Sequence, residues 1–434
     1  MKSASSSHSF ATVTPGSCVK VFISAGEASS DLHGAQFLEA LAQKMPEGQR
    51  LEAFGVGGPR LKAAGLRAIV DTRELMTMGF WEVLIRLPQV FRILNRVSQA
   101  VASDPPDVAV VLDYPGFHFR LVKKLRRLQI PWVYYIPPKV WVWRESRVRF
   151  LKRFFKKILV IFPFEEAFYR KFQVDAKYVG NPLLDELPMN LTRLDARKKL
   201  GLQPSDRVLL LMPGSRESEW DQHFEVLLGA AWRACASLRQ AQVLSTDERL
   251  KVLIPVPEQG DLARVQQRLS RWQAQCGDEA GIQAAVDWRV SQGTSAWCMG
   301  AADAGLIKSG TSTLEAALLG LPMVVVYRVS RLSQWFFQSV VRYRGAVGLV
   351  NLVVGPIVPE VLGAQVKVES LSQWVVRLMT DQQWVAQMRA RYDELRREMI
   401  QGPAHPSQMV AQEVLAVVEE KKRGERPNPS GGAR

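Results

Sequence analysis

Two short stretches in the second half of the chain, Met212-Pro213-Gly214-Ser215-Arg216 and Lys308-Ser309-Gly310-Thr311, each follow an apolar run and combine a glycine, a hydroxyl and a cation. That is the chemistry of an anion cradle. Backbone N–H groups in a turn that opens a helix attract negative charge, glycine lets the anion approach, and Arg216 adds a planar fork of donors. Either stretch alone reads equally well as an ordinary strand-to-helix turn with Ser or Thr caps. Two of them, both at expected strand C-termini, favour a diphosphate site. Glu315 follows Thr311 by one helical turn. It suits a pair of ribose hydroxyls, or else the positive end of its own helix. The pattern G-x-x-x-x-G-K-[ST] is absent, which argues against NTP hydrolysis of the P-loop kind.

In the first half, Val111-Leu112-Asp113-Tyr114-Pro115-Gly116 puts a carboxylate just past an apolar run. Open α/β sheets bind ligands at that position, so Asp113 is a candidate general base; capping of the next turn is the competing reading. The stretch Ser24-Ala25-Gly26-Glu27-Ala28-Ser29-Ser30-Asp31 joins a strand-like run to a helical one through a turn holding Gly26, Glu27 and Asp31, but lacks the G-x-G-x-x-G of dinucleotide sites. Pro137-Pro138-Lys139-Val140-Trp141-Val142-Trp143-Arg144 reads as a stiffened loop whose Trp143 and Arg144 suit a sugar or phosphate, or as alternating Trp in a core strand. The cations from Arg147 to Lys157 that follow read first as a solvated helix face.

Elements that place these residues alternate strand and helix. Apolar runs at 19–23, 51–55, 108–112, 132–136 and 158–162, and again at 208–212, 250–255, 304–308 and 323–327, are separated by helical patterns. The fold class expected is α/β: two Rossmann-like domains facing across a cleft, with a C-terminal helix crossing back onto the first. The expected boundaries are a disordered leader over 1–18, a first domain over 19–190, a second over 191–380, returning helices over 381–421 and a polar tail over 422–434. Residues 78–94, Met78 to Leu94, form an apolar stretch interleaved with Arg86 and Arg92. It is either a core helix or, partly exposed, a membrane-surface helix with Arg86, Arg92 and Arg96 at the headgroups.

The 434 residues carry 57 Lys and Arg against 42 Asp and Glu, a formal net charge of +15. Such a balance suits nucleic acid, an anionic membrane or a phosphorylated substrate. No nucleic-acid motif appears and the cations are dispersed, which argues against a nucleic-acid partner. Cys18, Cys235, Cys276 and Cys298, with five histidines, show no ligand spacing, so neither a metal nor a cofactor is expected, and scattered thiols suit a reducing cytoplasm. No stretch approaches the roughly 20 apolar residues of a membrane span.

Taken in order, SAGEASSD, FGVGGPRL, MGFWEVLIRLP, PDVAVVLDYPGF, VWVWRESRV, FPFEEAFY, VGNPLLDE, LMPGSRESE, SGTSTLEAALLGLPMVVVYR and LVNLVVG resemble the lipid-A-disaccharide synthase family from about residue 19 to 365. The resemblance implies a GT-B glycosyltransferase of lipid A biosynthesis that joins UDP-2,3-diacylglucosamine to 2,3-diacylglucosamine 1-phosphate. It also implies inversion without a metal, Asp113 as the catalytic carboxylate, and a UDP site from Gly214, Ser215, Arg216, Ser309, Gly310, Thr311, Glu315 and Asn351, the last from the LVNLVVG motif. Gly26, Glu27 and Asp31 would shape the acceptor side. The implied place is the inner face of the cytoplasmic membrane, as a peripheral protein; a homodimer is compatible with all of this. The runner-up is another UDP-sugar enzyme of the same plan, a UDP-GlcNAc transferase or 2-epimerase. Departures from the family pattern are Ser30 for Gly, Pro137-Pro138-Lys139 for S-P-S, Asp113 to His118 for D-A-P-D-F-N, Asn181 for the His of G-H-P, and Lys308 for a small or apolar residue.

Overall fold

A computed structural model describes residues 18–76, 87–143, 145–258, 260–276, 285–328, 346–403 and 405–424. The chain divides into two units, one of residues 1–182 with 401–434, the other of 183–400.

The first unit is built on a seven-stranded sheet. Its strands are β1 (Cys18–Ala25), β2 (Arg50–Gly57), β3 (Arg67–Asp71), β4 (Val108–Leu112), β5 (Trp132–Tyr135), β6 (Lys157–Val160) and β7 (Ala176–Tyr178), in the order β3-β2-β1-β4-β5-β6-β7. Every neighbouring pair is parallel. Parallel strands covered on both faces read as unbroken apolar runs, and all five residues of β4 are buried. On one face lie the helices Leu87–Ser103 and Pro115–Leu125, which bury Ile93, Leu94, Val97, Leu121 and Val122. On the other lies Ala28–Lys44, together with Pro406–Gly424, which contributes Val410, Val414 and Val417 to the same core.

The second unit has six parallel strands, β8 (Val208–Met212), β9 (Leu250–Val256), β10 (Val286–Gln292), β11 (Ala304–Lys308), β12 (Met323–Tyr327) and β13 (Glu360–Leu362), ordered β10-β9-β8-β11-β12-β13. The long helix Glu217–Gln240 packs on it with Trp220, Phe224, Leu227 and Leu228.

The returning segment differs from the expected 381–421 block. Helix Gln382–Ile400 stays with the second unit, because Val385, Met388 and Tyr392 recur at helical spacing and lie in that core. Gly402 and Pro403 then interrupt the helical run, and only Pro406–Gly424 joins the first unit. The strand expected to end at Ile136 ends at Tyr135, since Ile136 has φ 57°. Of the apolar stretch from Met78 to Leu94, residues 78–86 lie outside the described ones. No described helix is long and apolar enough to cross a membrane.

Candidate active site

Strand order reverses once in each sheet. In the first, successive strands run outward from β1 in one direction and from β4 in the other; in the second the reversal falls between β8 and β11. Loops leaving neighbouring strands at such a point diverge and open a crevice at the strand C-termini. The candidate residues sit on those loops. Gly26 and Glu27 follow β1, Asp113 follows β4, Gly214 to Arg216 follow β8, and Ser309 to Thr311 follow β11. Register confirms the adjacency: Ala25 pairs with Leu112 and Met212 with Ile307.

Asp113 and Tyr114 have φ of 52° and 45°, two consecutive non-glycine residues in the left-handed region. Each such residue costs about 1 kcal/mol or more, and buried hydrogen bonds hold the turn. Two donors meet on the Asp113 carbonyl. Tyr134 Oη donates at 2.7 Å, and His118 Nδ1 lies 2.7 Å away. A carbonyl only accepts, so Nδ1 carries the proton, and Nε2 accepts from Ser24 Oγ at 2.8 Å. Full burial pulls the His118 pKa down to about 4, against the pull of the Asp113 carbonyl, so the ring is neutral at physiological pH. The Asp113 carboxyl points elsewhere. Burial first, and the Glu27 carboxylate second, push it up to about 6, while Lys139 and His33 oppose the rise. A carboxyl poised there switches between acid and base close to neutrality.

Gly26 must be glycine. A Cβ there would come 2.6 Å from the Tyr114 ring, so the turn after β1 backs directly onto the turn that carries Asp113. Glu27 opens helix Ala28–Lys44, its N–H donating to Ser30 Oγ at 3.0 Å. Asp31 carries a different task from the acceptor contact expected of it. Its buried carboxylate accepts from the N–H groups of Gly58 (2.6 Å), Arg60 (3.0 Å) and Leu61 (3.3 Å), capping the helix Pro59–Ala63. The Trp143 side chain and all of Arg144 lie outside what the structure describes. Their neighbour Trp141 donates to Glu165 Oε1 at 2.8 Å. Glu165 also accepts from the amides of Ile161 (3.3 Å) and Phe162 (3.1 Å), and burial pushes its pKa up to about 7. Half-buried Lys139, between these two raised carboxyls electrostatically, is pulled down by burial and held up by Asp113 and then Glu165.

In the second unit the Gly214 turn is partly self-filled. Glu219 Oε2 accepts from the amides of Ser215 (2.8 Å) and Arg216 (3.3 Å), and Oε1 accepts from Lys308 Nζ at 2.6 Å. A Cβ on Gly214, whose φ is 138°, would meet Glu219 Oε2 at 2.4 Å. Burial opposes ionisation of Glu219, but Lys308 and the two amides outweigh it and keep its pKa below the ordinary value. The exposed Arg216 side chain, and the amides of Gly310, Thr311 and Ser312, have no acceptor among the described residues. Ser309 Oγ donates to the Val347 carbonyl at 3.0 Å. Half-buried Glu315 is pushed up to about 7 by burial and by Glu186. Asn351 is inward-facing and fully engaged. Its amide donates to Val358 O (2.6 Å) and Glu360 Oε1 (2.8 Å) and accepts from the amides of Ile357 (3.1 Å) and Val358 (2.9 Å). It pins the loop leading into β13 rather than presenting itself to a ligand.

Sequence reasoning passed over Glu219, Glu165, Lys139 and the role of His118. Glu219 had a signal: an acid three residues into a helix is where a capping side chain folds back onto the preceding amides.

Two parallel α/β units, each with glycine-bearing loops at its own switch point, define the GT-B fold. The fold matches that of CalG4, the calicheamicin glycosyltransferase, with a TM-score of 0.56 at 18% identity, covering 94% of this chain and 99% of that one. The family model for lipid-A-disaccharide synthetase matches residues 21–415, and the chain belongs to that family. It is 36% identical to the lipid-A-disaccharide synthase of Myxococcus xanthus over 388 residues, 89% of this chain and 91% of the relative. It is 37% identical to that of Anaeromyxobacter dehalogenans strain 2CP-C over 402 residues, 92% of this chain and 97% of the relative.

Proposed function

We propose that this enzyme transfers 2,3-diacylglucosamine from UDP to the 6-hydroxyl of 2,3-diacylglucosamine 1-phosphate, inverting the anomeric carbon. The observation that carries the reading is the placement of Asp113. A carboxyl titrating at about 6 lies on the loop after β4, at the switch point of the first sheet, with its backbone anchored by His118 and Tyr134. In the step proposed, the acceptor O6 attacks C1 of the donor, the C1–oxygen bond to the diphosphate breaks, and the O6 proton passes to Asp113. A base ionised at neutral pH on an anchored backbone suits that transfer.

Negative charge developing on the departing UDP needs donors already in place. The amides of Gly310 to Ser312 and the guanidinium of Arg216 would supply them, and Glu315 would accept from ribose hydroxyls. Ser215 and Arg216 amides join only when Glu219 gives way, which Lys308 can assist by keeping its carboxylate. Donor and acceptor are acylated, so the enzyme works at a membrane surface. Half-exposed Phe91 beside exposed Arg92, on helix Leu87–Ser103, and the net charge of +15 fit the inner, anionic face of the cytoplasmic membrane.

Incubation with the UDP-diacylglucosamine donor and the phosphorylated acceptor, read by mass spectrometry, tests the reading: a disaccharide 1-phosphate and UDP are expected. Asp113→Ala should abolish product while UDP still binds; near-normal turnover by that variant would remove Asp113 as the base.

A further inference from the structure

The edge of the second sheet opposite the nucleotide loops holds a separate feature. Arg207 directly precedes β8, and Asp303 directly precedes β11. Both therefore lie at strand N-termini, roughly 15 Å of strand away from the loops that follow Met212 and Lys308. There a cavity of about 570 Å³ opens between these residues, Arg193 and Arg389. Leu378 and Val385 contribute apolar surface to its wall.

Its charges are unbalanced. Asp303 is already engaged three ways, by Arg193, by Arg197 at 3.0 Å and by the Val208 amide at 2.8 Å. Arg197 lies buried beneath, its Nε and Nη1 donating to the carbonyls of Ala301, Gln203 and Pro204. Among the described residues, the guanidinium groups of Arg207 and Arg389 make neither a hydrogen bond nor an ion pair. Asp393 is the other acid on the wall, so three arginines line the cavity against two carboxylates, one of them committed. The crowding shows in titration: burial, then Arg197, Arg389 and Arg207, bring the Arg193 pKa down to about 10. Guanidinium groups that converge without partners, on a concave surface with an apolar wall, are arranged to take an anion that also carries an apolar body.

We infer that this cavity is a second ligand site, taking a phosphate monoester whose two free charges are bridged by Arg207 and Arg389 and whose carbon skeleton lies on Leu378 and Val385. It is separate from the transfer chemistry. A ligand there ties the helices Arg193–Lys199 and Gln382–Ile400 to the leading edge of the sheet. The phosphate can belong to a free phosphorylated metabolite or to a phospholipid headgroup.

The test uses the full chain with UDP at saturation, so that the loops after β8 and β11 are filled. sn-Glycerol 3-phosphate is titrated by calorimetry, and vesicles of phosphatidic acid in phosphatidylcholine are followed by co-sedimentation. Binding of at least one probe is expected, and Arg207→Met with Arg389→Met should weaken it by about tenfold or more, since each variant deletes a charge-assisted contact. Glycerol phosphate binding assigns a soluble ligand, and vesicle binding alone assigns a headgroup. If the double variant misfolds, phenylglyoxal labelling of the wild-type protein replaces it, with Arg207 and Arg389 protected by the probe. Failure of both probes to bind, unchanged affinity in the folded double variant, or unprotected arginines would each overturn the site.

Discussion

Asp113 has two halves with opposite demands. Its carbonyl is clamped by two buried donors, while its carboxyl is left in a poorly solvated place where ionisation is costly. With Asp113 as the proposed base, the clamp would make His118 a positioning residue. His118→Phe removes the Nδ1 donor and strands Ser24, so kcat should fall on the order of 10- to 100-fold with KM for the donor unchanged. His118→Asn, which keeps an N–H and restores the residue usual in the family pattern, should recover most of the loss; equal damage by both variants would reduce His118 to packing. As the proposed base, the Asp113 carboxyl would set the pH dependence. Because only the ionised form accepts a proton, kcat/KM should decline as pH drops through about 6. Stability has the opposite sign. A folded-state pKa raised from the ordinary 3.8 means that stability is fully present below that value and is lost as pH rises through about 6. Asp113→Asn, free of that penalty, should therefore be more stable than wild type near pH 8 by roughly 2–3 kcal/mol, the gap closing near pH 3. Urea melts at the two pH values measure it. Arg216→Ala, by losing a charged fork, should weaken donor binding about tenfold.

At the scale of elements, the residues that hold loops matter as much as those that face a ligand. Asp31 and Asn351 have the look of site residues in sequence, polar and beside glycine-bearing turns, yet both are buried staples. The reason is physical. A turn closing onto a sheet leaves backbone amides that need acceptors, and a nearby Asp or Asn satisfies them as well as a ligand would. Asp31→Ala should cost about 2 kcal/mol in a urea midpoint, the loss of a cap and several charged hydrogen bonds. Gly26→Ala is the sharper probe of the element pair. Its Cβ would push the Tyr114 ring and, through it, the Asp113 turn, so activity should fall well before the 1–3 kcal/mol typical of overpacking unfolds the protein. Activity and melting measured on the same preparation separate these effects.

Over the whole molecule, chain order and unit membership part company. The last helix, Pro406–Gly424, completes the core of the first unit by burying Val410, Val414 and Val417, and its Glu413 and Glu420 pair with Lys157 and Lys156 at 2.5 Å. Part of the basic run from Arg147 to Lys157 is thus neutralised by the helix Pro406–Gly424. The membrane contact proposed above would fall instead to the region around half-exposed Phe91. Phe91→Asp should reduce co-sedimentation with anionic vesicles roughly fivefold to tenfold while leaving the melting temperature near that of wild type.

The alternation of apolar strands and amphipathic helices, and with it two parallel sheets, was determined by sequence alone, because buried parallel strands leave unbroken apolar runs whatever their order. The loops bearing Asp113, Gly214 and Gly310 were legible for the same reason, since each is fixed by the end of a strand. Only the tertiary structure decided which strands lie side by side, and so which loops share a switch point. It alone showed that Asp31 and Asn351 are consumed by neighbouring amides, and that, among the described residues, the guanidinium groups of Arg207 and Arg389 have no hydrogen-bond or ion-pair partner. Hydrogen-bond satisfaction is a property of three-dimensional neighbours, which can stand 264 residues apart in the chain as Lys156 and Glu420 do, and no local pattern encodes such a pairing.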